Sequence, residues 1–254
     1  MTCERTSSDG EIALVVPVWK DSARLAVFGP KLARELAARR MPARLVIADD
    51  GSGAEECRRL ESLCGELAAI YPHVTLHSAE RHRGKGAVVR EAWDLSPNAA
   101  WLAFADADGS VSAPEMLNLI ERAVTDGRST FAVRVNTATT KVESGFRREL
   151  LHHAYLLVAR MVLGLRSADL QCGAKVLAGD AYRKVAPLLR EEGWAFDSEL
   201  LLALRRNGFD WQEVPVNWTA QDGGKVKPVR DGLRMIGALR RIRSRWLDSR
   251  GHQM

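Results

Sequence analysis

The sequence predicts an α/β fold, a mostly parallel sheet flanked by helices in one Rossmann-like domain, with an amphipathic helix added at the C-terminal end. Short apolar runs recur at 11–19, 44–48, 74–77 and 101–105, with stretches of helical period between them, which is a βαβαβαβ pattern. Two of these runs end abruptly in acid and glycine, Asp49-Asp50-Gly51-Ser52 and Asp106-Ala107-Asp108-Gly109-Ser110. That strand end is where open α/β sheets hold ligands. At 254 residues, 46% hydrophobic and 27% charged, the chain has apolar content enough for one large domain.

In order, residues 1–10 are polar and are expected to be disordered. A first buried strand spans 11–19, with Pro17 closing it. A helix follows with Ser22 as its expected N-cap and Leu25, Phe28, Leu32 and Leu36 inward. The second strand, 44–48, leads to a helix over 54–70 and a short strand over 74–77. Arg81-His82-Arg83-Gly84-Lys85-Gly86 then opens another helix. Its glycines let backbone amides approach an anion, but it lacks the spacing of a Walker P-loop. A basic, solvated turn fits the same residues. The strand at 101–105 leads to a helix from Pro114 to Val124 and a strand over 129–134 ending in Arg134.

Residues 144–166 form a helix with a heavy apolar face and a basic complement, which suits either core packing or a membrane surface. Asp169-Leu-Gln-Cys-Gly-Ala-Lys175 precedes a helix from about Ala181, and Trp194-Ala-Phe-Asp197-Ser-Glu199 begins another, with Asp197 placed as an N-cap. An extended run over 211–218 and a basic loop, Asp222-Gly-Gly-Lys225-Val-Lys227, precede the last helix. From 229 on, Leu233, Ile236, Leu239, Ile242 and Trp246 sit at helical spacing among arginines. The expected division is thus 1–10, a domain over 11–228, and a basic helix and tail over 229–254.

Extended alternation would send Asp106 and Asp108 to one side, about 6–7 Å apart. Two hard oxygen donors there suit Mg²⁺ or Mn²⁺ carrying a diphosphate. Asp-x-Asp alone is also ordinary turn chemistry. Asp-Asp-Gly-Ser fits a turn and helix cap as well as an acid reaching a ribose or base edge.

A net charge of +5 and a pI near 9.2 favour anionic partners. Four cysteines without C-x-x-C spacing and six dispersed histidines point away from structural zinc and toward reduced thiols in a cytoplasmic protein. No signal-peptide pattern opens the chain and no apolar run reaches about 18 residues, so the expectation is a protein that contacts a membrane only peripherally, at its inner face.

Together, Val15-Val-Pro17, Ala48-Asp-Asp-Gly-Ser52, Arg83-Gly-Lys-Gly86, Ala105-Asp-Ala-Asp-Gly109, Arg134, Asp169–Lys175, Trp194–Leu201 and Val214-Pro-Val-Asn-Trp218 resemble inverting GT-A glycosyltransferases of family 2. Within it they look most like polyprenyl-phosphate sugar transferases, the dolichyl-phosphate β-glucosyltransferase type in particular. The resemblance covers roughly 11–245 and implies transfer of a hexose from a nucleotide-diphosphate sugar such as UDP-glucose to a polyprenyl phosphate. The alternative acceptor is a soluble hydroxyl compound, a small metabolite or saccharide. It implies that Pro17 and Asp50 border the nucleoside, that Asp106 and Asp108 hold Mg²⁺ or Mn²⁺, and that Lys85, Arg134 and Lys225 neutralise phosphates. Asp197 corresponds to the base position of many relatives, with Asp169 as the competing candidate. Nucleic acid is not an expected partner, and the oligomeric state is left open.

The chain departs from the family pattern at three places. Relatives often run Pro-x-Tyr-Asn-Glu where this chain has Pro17-Val-Trp-Lys-Asp21. They usually carry Asn where His82 stands, and Gly-Ser-Lys where this chain has Gly223-Gly-Lys225. A phosphatase using Asp-x-Asp would want its motif on an early strand and a distal acid, and near Gly179-Asp180 the chain offers Lys184 instead. A nucleotidyltransferase would want a Gly-rich basic loop after the first strand, and Val18–Ser22 is not one. A binder without catalysis has no need of a base beside the paired carboxylates.

Overall fold

The computed structural model describes residues 11–221 and 228–248. The expected disorder at 1–10 and Lys225 lie outside the described residues. The chain runs β1 (Ile12–Val18), α1 (Ser22–Ala38), β2 (Ala43–Asp49), α2 (Ala54–Ile70), β3 (Val74–Ser78), α3 (Lys85–Asp94), β4 (Trp101–Ala105), α4 (Ala113–Asp126) and β5 (Ser129–Val133). It continues as β6 (Val142–Glu143), α5 (Phe146–Leu163), β7 (Ala174–Ala178), α6 (Gly179–Val185), α7 (Phe196–Arg206), β8 (Trp211–Pro215), β9 (Trp218–Thr219) and α8 (Pro228–Asp248).

Seven strands form one sheet in the order β3-β2-β1-β4-β7-β5-β8, and β6 pairs with β9 in a small second ladder. All main-sheet pairings are parallel except those of β7, which runs antiparallel to both β4 and β5. Each inner strand is buried on both faces. Along β1, Ile12, Leu14, Val16 and Val18 pack with α1, α2 and α4, while Ala13 and Val15 pack with α3 and the α5–α8 side. The result is three layers, helix on sheet on helix.

Helix α1 buries Leu25, Phe28, Leu32 and Leu36 as its period requires. Its N-cap is Asp21 rather than Ser22, and the Asp21 carboxylate pairs with Arg24 instead of capping. Helix α4 starts as expected of Ser112-Ala-Pro: Ser112 Oγ accepts from the Glu115 amide at 3.4 Å, and Gly127 closes the helix in the left-handed region. The antiparallel β7 has no counterpart in the expected elements, because Lys175 interrupts what would otherwise be its apolar run. The C-terminal helix packs on the domain. Ala238, Leu239 and Ile242 of α8 are buried in the core cluster shared with α5 and α7, and Arg245 donates to buried Glu191 and Glu199 at 2.9 and 2.8 Å.

Because β1, β2, β4 and β5 run the same way, their carboxyl ends share one edge, and β7 contributes its amino end there through the Ala105–Ala174 register. Val18, Asp49, Ala105, Val133 and Ala174 therefore deliver their neighbouring loops to a single rim.

Candidate active site

The turn after β4 is the centre of that rim. Residues 106–109 do not continue the strand: Gly109 adopts φ +67° beside Phe28, and Asp108 Oδ1 accepts from the Ser110 amide at 2.9 Å. The extended-chain spacing expected for Asp106 and Asp108 is thus replaced by a turn. The Asp106 amide donates to Gly173 O at 2.8 Å, and a Cβ on Gly173 would come within 1.9 Å of Asp106 Oδ2. Gly173 is glycine because the carboxylate occupies the space of a side chain there. Asp108 Oδ2 lies 3.6 Å from Arg24 of α1.

Lys85 reaches this turn from the first residue of α3. Its Nζ lies 2.7 Å from Asp106 Oδ1 and 3.8 Å from Asp197 Oδ2, over the Phe104 ring at 4.5 Å and near Trp194 at 5.9 Å. Burial alone would depress the Lys85 ammonium, but Asp106, Asp197 and Asp108 outweigh it and raise its pKa. Burial raises the Asp106 pKa, with Lys85 pulling against that and Asp108 adding to it.

The loop carrying Lys85 is held by Asp50. Asp50 Oδ1 and Oδ2 accept from the amides of Arg83 and Gly84 at 2.8 Å each, and His82 Nδ1 lies 2.8 Å from Oδ2. The same His82 ring stacks on Trp19 at the end of β1, centroids 4.1 Å apart and planes 17° off parallel. Asp50 is 3% exposed, and burial raises its pKa against these hydrogen bonds. Arg83 of this loop is spent on Glu91 and Glu192 at 2.5 Å each. Gly84 and Gly86 touch the Glu191–Gly193 backbone, so the 190–194 loop closes over the Lys85 loop.

Asp197 sits inside the first turn of α7 and caps nothing; the N-cap is Ala195. Its oxygens face lysines instead, Lys175 at 2.7 Å on Oδ1 and Lys85 at 3.8 Å on Oδ2. Lys175 is 1% exposed and also donates to Cys172 O at 2.8 Å. A buried ammonium without such partners would cost several kcal/mol, roughly, so Asp197 and Lys175 hold each other in place.

Asp169 has a different setting. Arg134 at the end of β5 grips it with Nε at 2.5 Å and Nη2 at 2.9 Å, and the Arg134 and Gln171 amides donate at 3.2 and 2.8 Å. Burial would raise the Asp169 carboxyl, but Arg134 and these donors bring its pKa down to about 2. His152 Nδ1 lies 3.1 Å from Arg134 Nη2, and burial together with that guanidinium lowers the His152 pKa to about 4. Trp218 covers the guanidinium at 5.3 Å.

The rim therefore brings together Lys85, Asp106, Asp108 and Asp197, with Arg134 and Asp169 joined to them through the Gln171–Gly173 backbone. Pro17 stands half-buried at the end of β1 opposite Ala48, on the Trp19 side. Arg24, Lys175 and Trp194, which is 45% exposed, join the site without having been singled out in sequence. Only Lys175 and Trp194 carried a sequence cue, their place inside the long shared motifs.

A divalent ion fits this donor set. Asp106 and Asp108 supply hard oxygens, and among the described residues no cluster of three or more His, Cys, Asp or Glu side chains forms. Magnesium needs no such cluster, since it commonly rests on one or two carboxylates plus substrate phosphates.

No family model matches the chain. Among curated proteins it is 32% identical to the dolichyl-phosphate beta-glucosyltransferase of Saccharomyces cerevisiae over 219 residues, 80% of this chain and 65% of the yeast protein. The Mus musculus protein of the same name is 29% identical over 252 residues, 93% of this chain and 76% of that one. The chain thus spans just under two thirds of the yeast relative. Among solved structures, mannosyl-3-phosphoglycerate synthase from Rubrobacter xylanophilus aligns with TM-score 0.62 at 16% identity, covering 96% of this chain and 76% of its own. Glucosyl-3-phosphoglycerate synthase from Mycobacterium tuberculosis, crystallised with Mn²⁺, UDP-glucose and phosphoglyceric acid, gives 0.62 at 16%, covering 92% and 79%. At that identity these two report the fold. In sequence the chain is thus similar to dolichyl-phosphate β-glucosyltransferases, and its fold is that of the GT-A glycosyltransferases.

Proposed function

We propose that the protein transfers a hexose, with inversion, from a nucleotide-diphosphate sugar such as UDP-glucose to a polyprenyl phosphate. The observation that carries this is Lys85, one buried cation joining the Asp106 turn to Asp197. The names of the curated relatives support the lipid-phosphate acceptor.

In this reading the Asp50 loop and the Trp19–His82 stack border the nucleoside, with Pro17 behind them. Lys85, Arg134 and Lys225 balance phosphate charge. Asp106 and Asp108 would hold Mg²⁺ or Mn²⁺, which stabilises charge on the departing diphosphate. An acceptor phosphate oxygen bonds to the anomeric carbon while the bond from that carbon to the diphosphate oxygen breaks on the opposite face. The nucleoside diphosphate leaves with that electron pair. A phosphate dianion brings no proton to remove. A protonated acceptor would give its proton to Asp197. Asp169 is unsuited to that task, because a carboxylate of pKa about 2 gripped by Arg134 holds a proton weakly.

Purified protein offered a panel of nucleotide sugars, with and without polyprenyl phosphate, tests the reading. Release of nucleoside diphosphate that depends on the lipid phosphate supports it. Release with hydroxyl acceptors only would move the protein to a soluble-acceptor transferase.

A further inference from the structure

Glu199 is a fully buried carboxylate in the first turn of α7, two residues after Asp197. A charge so placed is tolerated only when donors surround it. Its donors come from two directions. Oε2 accepts from the amides of Arg190 and Glu191 at 2.7 and 2.6 Å, and Oε1 accepts from Arg245 Nη2 of α8 at 2.8 Å. The same Arg245 nitrogen donates to Glu191 Oε1 at 2.9 Å, and Arg241 Nη2 donates to Glu191 Oε2 at 3.3 Å. Among the described residues Arg245 is the one cation paired with Glu199. The last turn of α8 thus fixes the start of the 190–194 loop through a knot of charge.

The far side of that loop is fastened to the helix that carries Lys85. Glu192 O accepts from the Ala87 amide at 3.1 Å, and the Glu192 carboxylate pairs with Arg83 at 2.5 Å. Arg90 Nη1 and Nη2 donate to Leu189 O and Glu191 O at 2.9 and 3.4 Å, while its Nε donates to Gly86 O at 3.1 Å. The packing leaves no slack: a Cβ on Gly86 would come within 2.4 Å of Phe196 Cβ and 2.9 Å of Glu191 O. At the end of the loop the Trp194 ring lies 5.9 Å from Lys85 Nζ, which itself stands 2.7 Å from Asp106. A continuous run of hydrogen bonds therefore links Arg245 to the helix turn that bears the rim's central cation.

We infer that Arg245 and Glu199 are positioning residues: they latch the 190–194 loop onto the first turn of α3 and so hold Lys85 against Asp106 and Asp197. Resting on the transferase reading, in which Lys85 balances donor phosphates, the latch sets where that cation stands. Both residues act through the loop, since their partners are Glu191, the Arg190 and Glu191 amides and each other. Without Arg245, Glu199 keeps only amide donors for a buried charge, which favours an opened loop with water at the carboxylate. Opening frees the Ala87 amide and uncovers Lys85, whose side chain is 7% exposed.

The test compares the full wild-type chain with Arg245→Gln, Arg245→Lys and Glu199→Gln; the last keeps an oxygen for the loop amides and gives up the charge. Two readouts need no substrate: amide hydrogen exchange over 84–89 and 187–196, and the rate at which acetic anhydride acylates Lys85, read by peptide mass. Arg245→Gln and Glu199→Gln should speed both about tenfold, with β4 amides exchanging as in wild type, and Arg245→Lys should restore most of the difference. With a nucleotide sugar, the donor KM of Arg245→Gln should rise about tenfold and kcat change less than about threefold. Wild-type exchange in the loop of Arg245→Gln overturns the inference. So does a loosened loop with Lys85 acylation and donor KM unchanged, or exchange raised equally across β4 in both Gln variants. A wild type that turns over no nucleotide sugar would remove the transferase reading, while exchange and acylation loosened locally would still support the latch.

Discussion

His82 stacks on Trp19, and these are two of the places where the chain departs from the family pattern it resembles. The departures meet in space. His82 also bonds Asp50, which holds the Lys85 loop, so the stack braces that loop, the proposed nucleotide side of the site. Aromatic pairs of this kind contribute roughly 0.5–1.5 kcal/mol, so Trp19→Ala should raise the donor KM about 2–10-fold. Trp19→Phe should restore most of it. Steady-state kinetics at saturating acceptor would show this as a change in KM larger than the change in kcat.

Asp197→Asn distinguishes acceptors. With a hydroxyl acceptor, removal of the carboxylate should cost about 10²–10⁴-fold in kcat. With a phosphate acceptor, which needs no proton removed, the loss should be smaller. Asp169→Asn should instead disturb Arg134 and raise the donor KM. Equal losses on both acceptors for Asp197→Asn would assign it to positioning Lys85 rather than to proton transfer.

The contact between Gly173 and Asp106 sets a steric test of the carboxylate turn. Gly173→Ala places a methyl where Asp106 Oδ2 now lies, displacing the carboxylate by about 1 Å or more, and misplacement of that size costs about 10²-fold in kcat. Asp108→Asn, which keeps shape and loses charge, should weaken divalent-ion dependence even more. Titrating Mn²⁺ against turnover for wild type and both variants reads the effect directly, and wild-type turnover in excess chelator would contradict the metal role.

Protonation of His152 gives a stability prediction. Its folded pKa of about 4 lies below the ordinary 6.5, because burial and Arg134 oppose the imidazolium. The unfolded chain therefore binds more protons between those values, and stability should fall as pH drops from about 6.5 to about 4, by up to about 3 kcal/mol. His152→Gln should flatten that slope in denaturant titrations. The Asp169 contribution is lost lower, from its ordinary 3.8 toward about 2, so the two windows separate.

The sheet's first half was legible because β1 to β4 are apolar runs closed by turn residues, and each intervening helix repeats with its own period. β7 was not, since Lys175 breaks its pattern and the carboxylate that pairs with this buried lysine, Asp197, stands 22 positions later. The motif residues Lys85, Asp106, Asp108 and Asp197 lie on one rim. Their local geometry was hidden, because Gly109 turns the chain after β4 and Ala195 takes the cap position expected of Asp197. Arg24 carries no cue at all. Helical periodicity places it on α1, and only the fold of β4 against β1 brings it to Asp108. For the C-terminal helix, amphipathicity alone fitted both a bilayer and a core; the burial of Leu239 and Ile242 decides for the core.

Hexosyl transfer with inversion onto a lipid phosphate is written in the anomeric configuration of the product. Purified protein would be given UDP-α-glucose, a polyprenyl phosphate and Mn²⁺, the glycolipid extracted, and the anomeric proton coupling read by NMR. The account predicts a β-linked glucosyl phosphate formed in step with released UDP. An α-linked product, or UDP released without any glycolipid, would contradict it.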